Sequence, residues 1–194
     1  MRMSVLATVT TLALGSFAMM SAQAPSPVEL KVGDKAPDFK LPGTDGKTHT
    51  LAEYAGKRAV VIAWFPAAFT GGCTIECKSL AEHGDLIRKY DVQYFMASVD
   101  SADKNAEFAK ATTVKLGDRE VQKEAADFPL LSDPTKAVAS AYGVLGASGF
   151  ANRWTFYIGK DGKILAIDKA VKPATSAEDL AAKLGELGVA KTSS

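Results

Sequence analysis

The chain has 194 residues, of which 47% are hydrophobic, and carries 23 Lys and Arg against 22 Asp and Glu. This size and composition are typical of one compact domain, and the near-neutral charge without a basic run gives no electrostatic basis for binding nucleic acid or acidic membranes. Only two cysteines and two histidines are present, so any thiol or metal chemistry depends on very few side chains.

The first 24 residues differ from the rest of the chain. Arg2 precedes an apolar stretch that runs to Met20, and Ala22-Gln23-Ala24 follows it. This pattern is typical of a secretory signal peptide, although an uncleaved anchor is the alternative. We expect an exported protein, periplasmic or extracellular, without stable membrane contact once the signal is cleaved. The expected divisions are a signal peptide at 1–24, a short linker at 25–31 and a folded domain at 32–190.

The first clear element of the domain is a buried strand at residues 58–65. Its sequence, Ala-Val-Val-Ile-Ala-Trp-Phe after the first residue, is short, apolar and rich in β-branched and aromatic side chains. Pro66 and the pair Gly71-Gly72 interrupt it. Apolar residues at helical spacing then predict one helix over residues 74–91.

The remaining chain alternates strands with helices. A strand is expected at 92–99, helices at 102–111 and 135–142, and a strand approach at 128–131, while residues 112–127 either extend a helix or form a loop near the active site. Residues 153–158 and 163–168 form a hairpin around Asp161-Gly162, since Asp-Gly is a strong turn signal. A helix at 176–187, with Ser176 as N-cap, ends the domain. This order predicts an α/β fold with a central mixed sheet flanked by helices.

Cys73 lies where the buried strand gives way to the helix. A thiol at a helix N-terminus faces unpaired N–H groups and the positive end of the helix dipole, and both stabilise a thiolate. Simple packing is the alternative, because free cysteine is among the most buried residue types. The Gly71-Gly72 pair favours chemistry, since it leaves the backbone open to close approach.

Two motifs resemble those of one family. The loop Pro66-x-x-x-Thr70-x-x-Cys73 resembles the active-site loop of peroxiredoxins, thiol peroxidases with a thioredoxin-like fold. The segment 153–156, Arg-Trp-Thr-Phe, resembles the Arg-x-Thr-Phe strand of that family. The resemblance covers roughly residues 32–187. It implies a thioredoxin-like fold, a peroxide substrate, no cofactor, and a thioredoxin-like or other small thiol reductant.

The resemblance also implies roles for the residues in these motifs. Cys73 would be the peroxidatic cysteine, whose thiolate attacks a peroxide oxygen and becomes a sulfenic acid. Arg153 would hold the thiolate and the peroxide oxygens, with a structural salt bridge as the alternative. Thr70 would bridge the thiolate and the hydroperoxide, and Pro66 would shield the sulfur from water.

Cys77 fits the family less well. In bacterioferritin-comigratory or Q-type peroxiredoxins a resolving cysteine follows the peroxidatic one by five residues, whereas Cys77 follows Cys73 by four. On an intact helix that spacing separates Cβ atoms by about 5–6 Å, and a disulfide needs roughly 3.5–4.5 Å. We expect Cys77 to resolve Cys73 as an intramolecular disulfide after the first turn loosens. A one-cysteine mechanism with an external thiol is the alternative.

The four-residue spacing also resembles the copper site of Sco-type metallochaperones, a rival interpretation. Soft thiolates bind Cu(I), but the distant histidine of that family has no counterpart, because His49 and His83 both precede the second half of the chain. Both histidines are expected to lie on the surface or to be satisfied by neighbours. Another exported thiol oxidoreductase using the two cysteines is a further alternative.

Glu76 is expected to stabilise the first helical turn by interacting with the helix dipole.

Overall fold

The computed structural model describes residues 29–192, so the expected signal peptide at 1–24 and most of the expected linker lie outside the described residues. Within residues 29–192, no helix has both the length and the apolar character needed to cross a membrane.

The described residues form strands, α-helices and two short 3₁₀ helices. The strands are β1 Lys40–Pro42, β2 Thr48–Thr50, β3 Ala59–Trp64, β4 Val92–Ser98, β5 Thr113–Leu116, β6 Arg119–Gln122, β7 Leu130–Ser132, β8 Thr155–Ile158 and β9 Ile164–Asp168. The α-helices are α1 Gly71–Glu82, α2 Gly84–Arg88, α3 Ala102–Lys110, α4 Ala137–Ala141 and α5 Ser176–Glu186. The 3₁₀ helices are Leu51–Tyr54 and Pro173–Thr175.

The central sheet has five strands in the order β7-β4-β3-β8-β9. β3 runs parallel to β4, and β4 parallel to β7, whereas β8 and β9 run antiparallel to their neighbours. All six residues of β3 are buried, because this strand has hydrogen-bonded neighbours on both sides and packed layers on both faces. The predicted α/β fold with a central mixed sheet is confirmed.

Alternate residues of β3 serve two separate cores, as the two-residue period of a strand requires. Val61 and Ala63 pack in a cluster that contains Cys73 and Cys77. Trp64 and its like-facing neighbours pack on the opposite face. Both cysteines are therefore built into the core beneath one face of the sheet.

The single helix expected over residues 74–91 is wrong, because the chain breaks it at His83. His83 has φ −121° and ψ 18°, and separates α1 from α2. The chain approaches β4 closely here: a Cβ on Gly84 would lie 2.6 Å from the Tyr94 hydroxyl and 2.8 Å from Arg88 Nη1. The glycine permits this contact, because no Cβ fills the space between the two chain segments.

Residues 112–127, left open between helix and loop, contain the hairpin β5–β6. Gly117 occupies its turn with φ 64°, where glycine carries no steric penalty. The hairpin packs against α1. Ser176 is the first residue of α5 rather than its N-cap, since the 3₁₀ helix before it places Thr175 at the cap.

Candidate active site

The loop between β3 and α1 is held tightly at both ends. Phe65 N donates to Ala97 O at 2.9 Å, which continues the sheet pairing one residue beyond β3. Phe69 has φ 65°, a left-handed conformation uncommon for a side-chain-bearing residue, and its ring packs on Phe108 at 5.2 Å. The chain then enters α1 at Gly71, so Cys73 is the third residue of the helix.

A buried carboxylate fixes the middle of this loop. Ala68 N donates to Asp100 Oδ2 at 2.7 Å, and Lys104 Nζ donates to Asp100 Oδ1 at 2.6 Å. Asp100 lies just beyond the end of β4 and is 8% exposed. The sequence indicated the strand end here but assigned this residue no role in holding the loop.

Arg153 reaches Cys73 from the strand on the other side of β3. Trp64 N donates to Trp154 O at 2.9 Å, which places the residue before it beside the end of β3. Arg153 Nη2 then donates to Cys73 Sγ at 3.2 Å across 80 positions of sequence. The structure thus brings together the two residues that the sequence motifs singled out.

Gly72 makes room for this contact. A Cβ on Gly72 would lie 2.9 Å from Arg153 Nη2 and 3.6 Å from Arg153 Cζ. The space expected beside the glycine pair is therefore occupied by the Arg153 guanidinium.

Glu76 is the second partner of Arg153, and the expectation of a helix-stabilising role in the first turn is wrong. It lies beyond the first turn of α1, its side chain is 0% exposed, and its Oε2 accepts from Arg153 Nη1. Oε1 has no hydrogen-bond partner among residues 29–192. Burial raises the pKa of Glu76 to about 7, although Arg153 opposes the shift. A three-residue spacing from Cys73 places both side chains on one helix face, the signal that could have indicated it.

Thr70 and Pro66 lie in the same loop, and the Thr70 hydroxyl donates its hydrogen bond to the backbone rather than to the sulfur. The Thr70 hydroxyl donates to Ala67 O at 2.8 Å, and Thr70 O accepts from Thr74 N at 2.8 Å. Pro66 is half-buried directly after the last core residue of the strand. Their bridging and shielding roles stay predictions.

Cys77 lies one helical turn beyond Cys73, and both thiols are free and 0% exposed. The continuous helix between them holds the two side chains apart, so the structure does not bring them into disulfide geometry. Burial raises the pKa of the Cys77 thiol to about 11, and Lys123 acts against the shift.

The histidines lie as expected, satisfied or on the surface. His49 is buried, and its ring nitrogens contact the Tyr54 hydroxyl at 2.9 Å and the Asp45 carboxylate at 3.1 Å. His83 is exposed near Glu178. No group of three His, Cys, Asp or Glu side chains in the described part of the chain is arranged to hold a metal ion.

Comparison with known proteins adds an independent line of argument. Residues 32–167 match the model of the AhpC/TSA family. The chain is 34% identical over 142 residues to Peroxiredoxin Bcp of Escherichia coli strain K12, a match that covers 70% of this chain and 83% of that protein. It is 35% identical over 138 residues to Alkyl hydroperoxide reductase E of Mycobacterium bovis, covering 70% and 82% respectively.

Solved structures agree with the sequence matches. Peroxidoxin BcpB from Mycobacterium tuberculosis superposes with a TM-score of 0.68 at 29% identity, covering 81% of this chain and 98% of that one. The bacterioferritin comigratory protein of Xanthomonas campestris has a TM-score of 0.66 at 24% identity, covering 81% and 96%, and supports the fold alone. These neighbours show the thioredoxin-like fold, and the relatives do not favour the Sco-type interpretation.

Proposed function

The chain belongs to the AhpC/TSA family and is a thiol-dependent peroxidase of the peroxiredoxin type, and we propose that Cys73 is its peroxidatic residue and Cys77 its resolving residue. The observation that carries the first assignment is the 3.2 Å contact from Arg153 Nη2 to Cys73 Sγ, within the first turn of α1. The half-buried Arg153 guanidinium can donate hydrogen bonds to negative charge that develops on this sulfur.

In the proposed reaction, the Cys73 thiolate attacks the nearer peroxide oxygen. The S–O bond forms as the O–O bond breaks, and the departing oxygen takes a proton and leaves as water or an alcohol. Arg153 stabilises negative charge on the sulfur before attack and on the peroxide oxygens during it, because its planar fork has several donors. Cys73 is left as a sulfenic acid.

Thr70 and Pro66 complete the site in this proposal. The Thr70 hydroxyl donates to Ala67 O, and its lone pairs can still accept the O–H of an incoming hydroperoxide. Pro66 has no N–H to attract water beside the sulfur. Thr70→Val, which keeps the shape and removes the hydroxyl, is expected to slow sulfenic acid formation without unfolding the loop.

Resolution by Cys77 requires the first turn of α1 to open. Gly71 and Gly72 are exposed, and Thr70 makes no side-chain cap bond to the helix, so few contacts oppose the opening. Cys77 then attacks the sulfenic sulfur of Cys73, forming a disulfide and releasing water. We further propose that a thioredoxin-like or other small thiol reductant reopens this disulfide.

Stopped-flow mixing of the reduced protein with hydrogen peroxide tests both assignments. We expect Trp fluorescence to change rapidly in the wild type, two thiols to be lost, and the intact mass to fall by two hydrogens. Cys73→Ser is expected to abolish the fast phase, and Cys77→Ser to keep it while one oxygen is gained. A fast phase that survives Cys73→Ser would refute the peroxidatic assignment. If Cys77 stays a free thiol in the oxidised wild type, Cys77 is not the resolving residue and an external thiol reduces the sulfenic acid instead.

We also propose that residues 1–24 direct export, a proposal supported by the apolar stretch and small-residue ending of that segment. An exported peroxidase with two thiols would need reducing equivalents delivered outside the cytoplasm, since disulfides persist there. Cell fractionation followed by intact mass is the test. A cytoplasmic protein that retains residues 1–24 would contradict it.

A further inference from the structure

Asp100 is a buried carboxylate that lies two residues beyond β4 and takes no part in the contacts of the Cys73 sulfur. It is 8% exposed, and its Oδ2 accepts from Ala68 N at 2.7 Å across 32 positions of sequence. Among residues 29–192, this is the one hydrogen bond that joins residues 66–69 to a part of the chain outside the loop and α1. The middle of the loop that leads to Cys73 therefore depends on a single side chain.

Asp100 is itself anchored to the central sheet. Its backbone N donates to Ser98 Oγ at 3.2 Å, and Ser98 is the last residue of β4. Asn105 of α3 donates from Nδ2 to Ser98 Oγ at 3.1 Å and to Ser132 Oγ, at the end of β7, at 2.8 Å. Ser98, Asn105 and Ser132 are at most 1% exposed. Because a fully buried polar network is rigid, the carboxylate is a fixed point of attachment for the loop.

The loop needs a fixed point because its backbone is not in an ordinary conformation. Phe69, which follows Ala68, has φ 65°, in the left-handed region that residues with a side chain seldom adopt. Such a conformation persists only where the surrounding structure holds it. The bond from Ala68 N holds the preceding residue, and the packing of the Phe69 ring on Phe108 at 5.2 Å holds the side chain. Without the bond, the loop is expected to relax toward ordinary backbone angles.

We propose, resting on the peroxidatic role assigned to Cys73, that Asp100 is a positioning residue for that thiol and acts through the Ala68 N–H. Residues 66–69 lead directly into α1, in which Cys73 is the third residue. A shift of the loop would move the start of the helix relative to Arg153, whose Nη2 donates to Cys73 Sγ at 3.2 Å. Because a misplacement of about 1 Å can cost about 100-fold in rate, this backbone bond controls the reaction with peroxide.

Asp133 offers a matched comparison on the neighbouring strand. It lies directly after β7, is 1% exposed, and its Oδ2 accepts from Ala139 N at 2.8 Å. Each aspartate thus follows a parallel strand of the same sheet and binds a backbone N–H, but Asp133 binds α4 instead of the loop before Cys73. Loss of either carboxylate should lower the free energy of unfolding, whereas only loss of Asp100 should slow the reaction with peroxide.

The test compares Asp100→Ala, Asp100→Asn and Asp133→Ala in the full-length reduced protein. Stopped-flow fluorescence gives the rate constant for hydrogen peroxide, iodoacetamide alkylation assigned to Cys73 by fragment masses gives the access and reactivity of the thiol, and urea unfolding gives stability. We expect Asp100→Ala to react with peroxide about tenfold more slowly or worse but to be alkylated no more slowly, since alkylation needs no oriented guanidinium. Asp100→Asn, whose amide oxygen can accept from Ala68 N, should stay within about threefold of wild type, and Asp133→Ala within about twofold.

The outcomes distinguish this inference from the assignment it rests on. If Asp100→Ala matches a fast wild type, or if Asp133→Ala loses as much rate as Asp100→Ala, Asp100 has no positioning role and Cys73 is still peroxidatic. Equal losses in the peroxide and alkylation rates, or no rescue by Asp100→Asn, would also overturn the inference. If the fast phase of wild type survives Cys73→Ser, the peroxidatic assignment itself fails. Should Asp100→Ala not fold, Asp100→Leu, which fills the space without an acceptor, carries the same test.

Discussion

Arg153 is the side chain through which two distant parts of the sequence meet at the reactive sulfur. Its contacts to Cys73 and Glu76 use separate nitrogens of one guanidinium. A lysine presents a single charged nitrogen and cannot match this fork. A lysine at position 153 should therefore restore only part of the reactivity that the arginine gives to Cys73.

Arg153→Met is expected to lower the second-order rate constant for hydrogen peroxide about 100-fold, since removal of one preorganised donor commonly costs that much. The rate constant of Arg153→Lys should lie between those of Arg153→Met and the wild type. The measurement is stopped-flow fluorescence of the reduced proteins. Arg58→Met, at the opposite end of β3, is the control, and an equal loss there would argue against a local effect.

Glu76 gives the molecule a pH response of known sign. Its native pKa of about 7 lies above the ordinary value of 4.5, so between these values the native state holds a proton that the unfolded chain releases. Its contribution to stability is complete below pH 4.5 and is lost as pH rises through about 7. The free energy of unfolding should fall by up to about 1.4 kcal/mol per pH unit in this window.

Urea unfolding of wild type and Glu76→Gln at pH 5 and pH 7.5 measures this response. The glutamine keeps a hydrogen-bonding oxygen for Arg153 and removes the titrating proton. We expect the difference in unfolding free energy between the two proteins to change in favour of wild type at the lower pH. A difference independent of pH would show that Glu76 has the same protonation state in both native and unfolded chains.

At the scale of elements, the first turn of α1 controls both proposed steps through two adjacent glycines. A Cβ on Gly71 would have only an ordinary 3.9 Å contact with Leu116, whereas one on Gly72 would crowd Arg153 Nη2 at 2.9 Å. Alanine at Gly71 stabilises the closed helix by up to about 1 kcal/mol. The two substitutions therefore act on different steps.

Gly71→Ala is expected to leave sulfenic acid formation unchanged and to slow disulfide closure up to about fivefold, because the helix opens less often. Gly72→Ala is expected to slow the reaction with peroxide, because it displaces Arg153. Single-turnover stopped flow with mass analysis separates the steps. The reverse pattern, or two identical patterns, would contradict this account of the turn.

How far the sequence could predict these elements depends on whether the signal was local. The buried strand, the closing hairpin and the last helix were predicted from periodicity and turn residues within each segment. Gly117-Asp118 between alternating residues is a comparable local signal for the hairpin β5–β6. The break at His83 had no local signal, since the contact that requires Gly84 comes from Tyr94 on another element.

The residues of the candidate site also differ in whether the sequence near them carries a signal. Cys73, Thr70 and Arg153 were found because their motifs resemble those of a family, and the structure places Arg153 against Cys73. The burial of Glu76 depends on Arg153, a partner distant in sequence, so the residues around Glu76 do not indicate it.

At the scale of the whole molecule, the reduced protein keeps α1 unbroken, whereas the form with a Cys73–Cys77 disulfide would have to unwind its first turn. Closing Cys73 to Cys77 would cost first-turn hydrogen bonds such as Thr74 N to Thr70 O. A five-residue loop restricts the unfolded chain little, so the disulfide would return little stability. Oxidation should therefore destabilise this protein, the opposite of the usual effect.

Urea unfolding of the reduced and oxidised forms tests this expectation. We expect the oxidised form to have the lower midpoint, with a loss of about 1 kcal/mol or more, the net contribution of one or two hydrogen bonds. Cys77→Ser, taken through the same treatment, corrects for sulfur oxidation without a disulfide. An oxidised form that is more stable than the reduced one would mean that α1 does not unwind.

The contact of Arg153 with Glu76 also limits how far α1 can fray. Glu76 is buried and held at its carboxylate, so the helix beyond it remains a folded template while the residues before it come loose. Regrowth onto an existing helix avoids the slow nucleation step and proceeds in about nanoseconds per residue. After each reduction the turn would therefore wind back far faster than peroxide arrives, and the recovery of the active loop would never limit turnover.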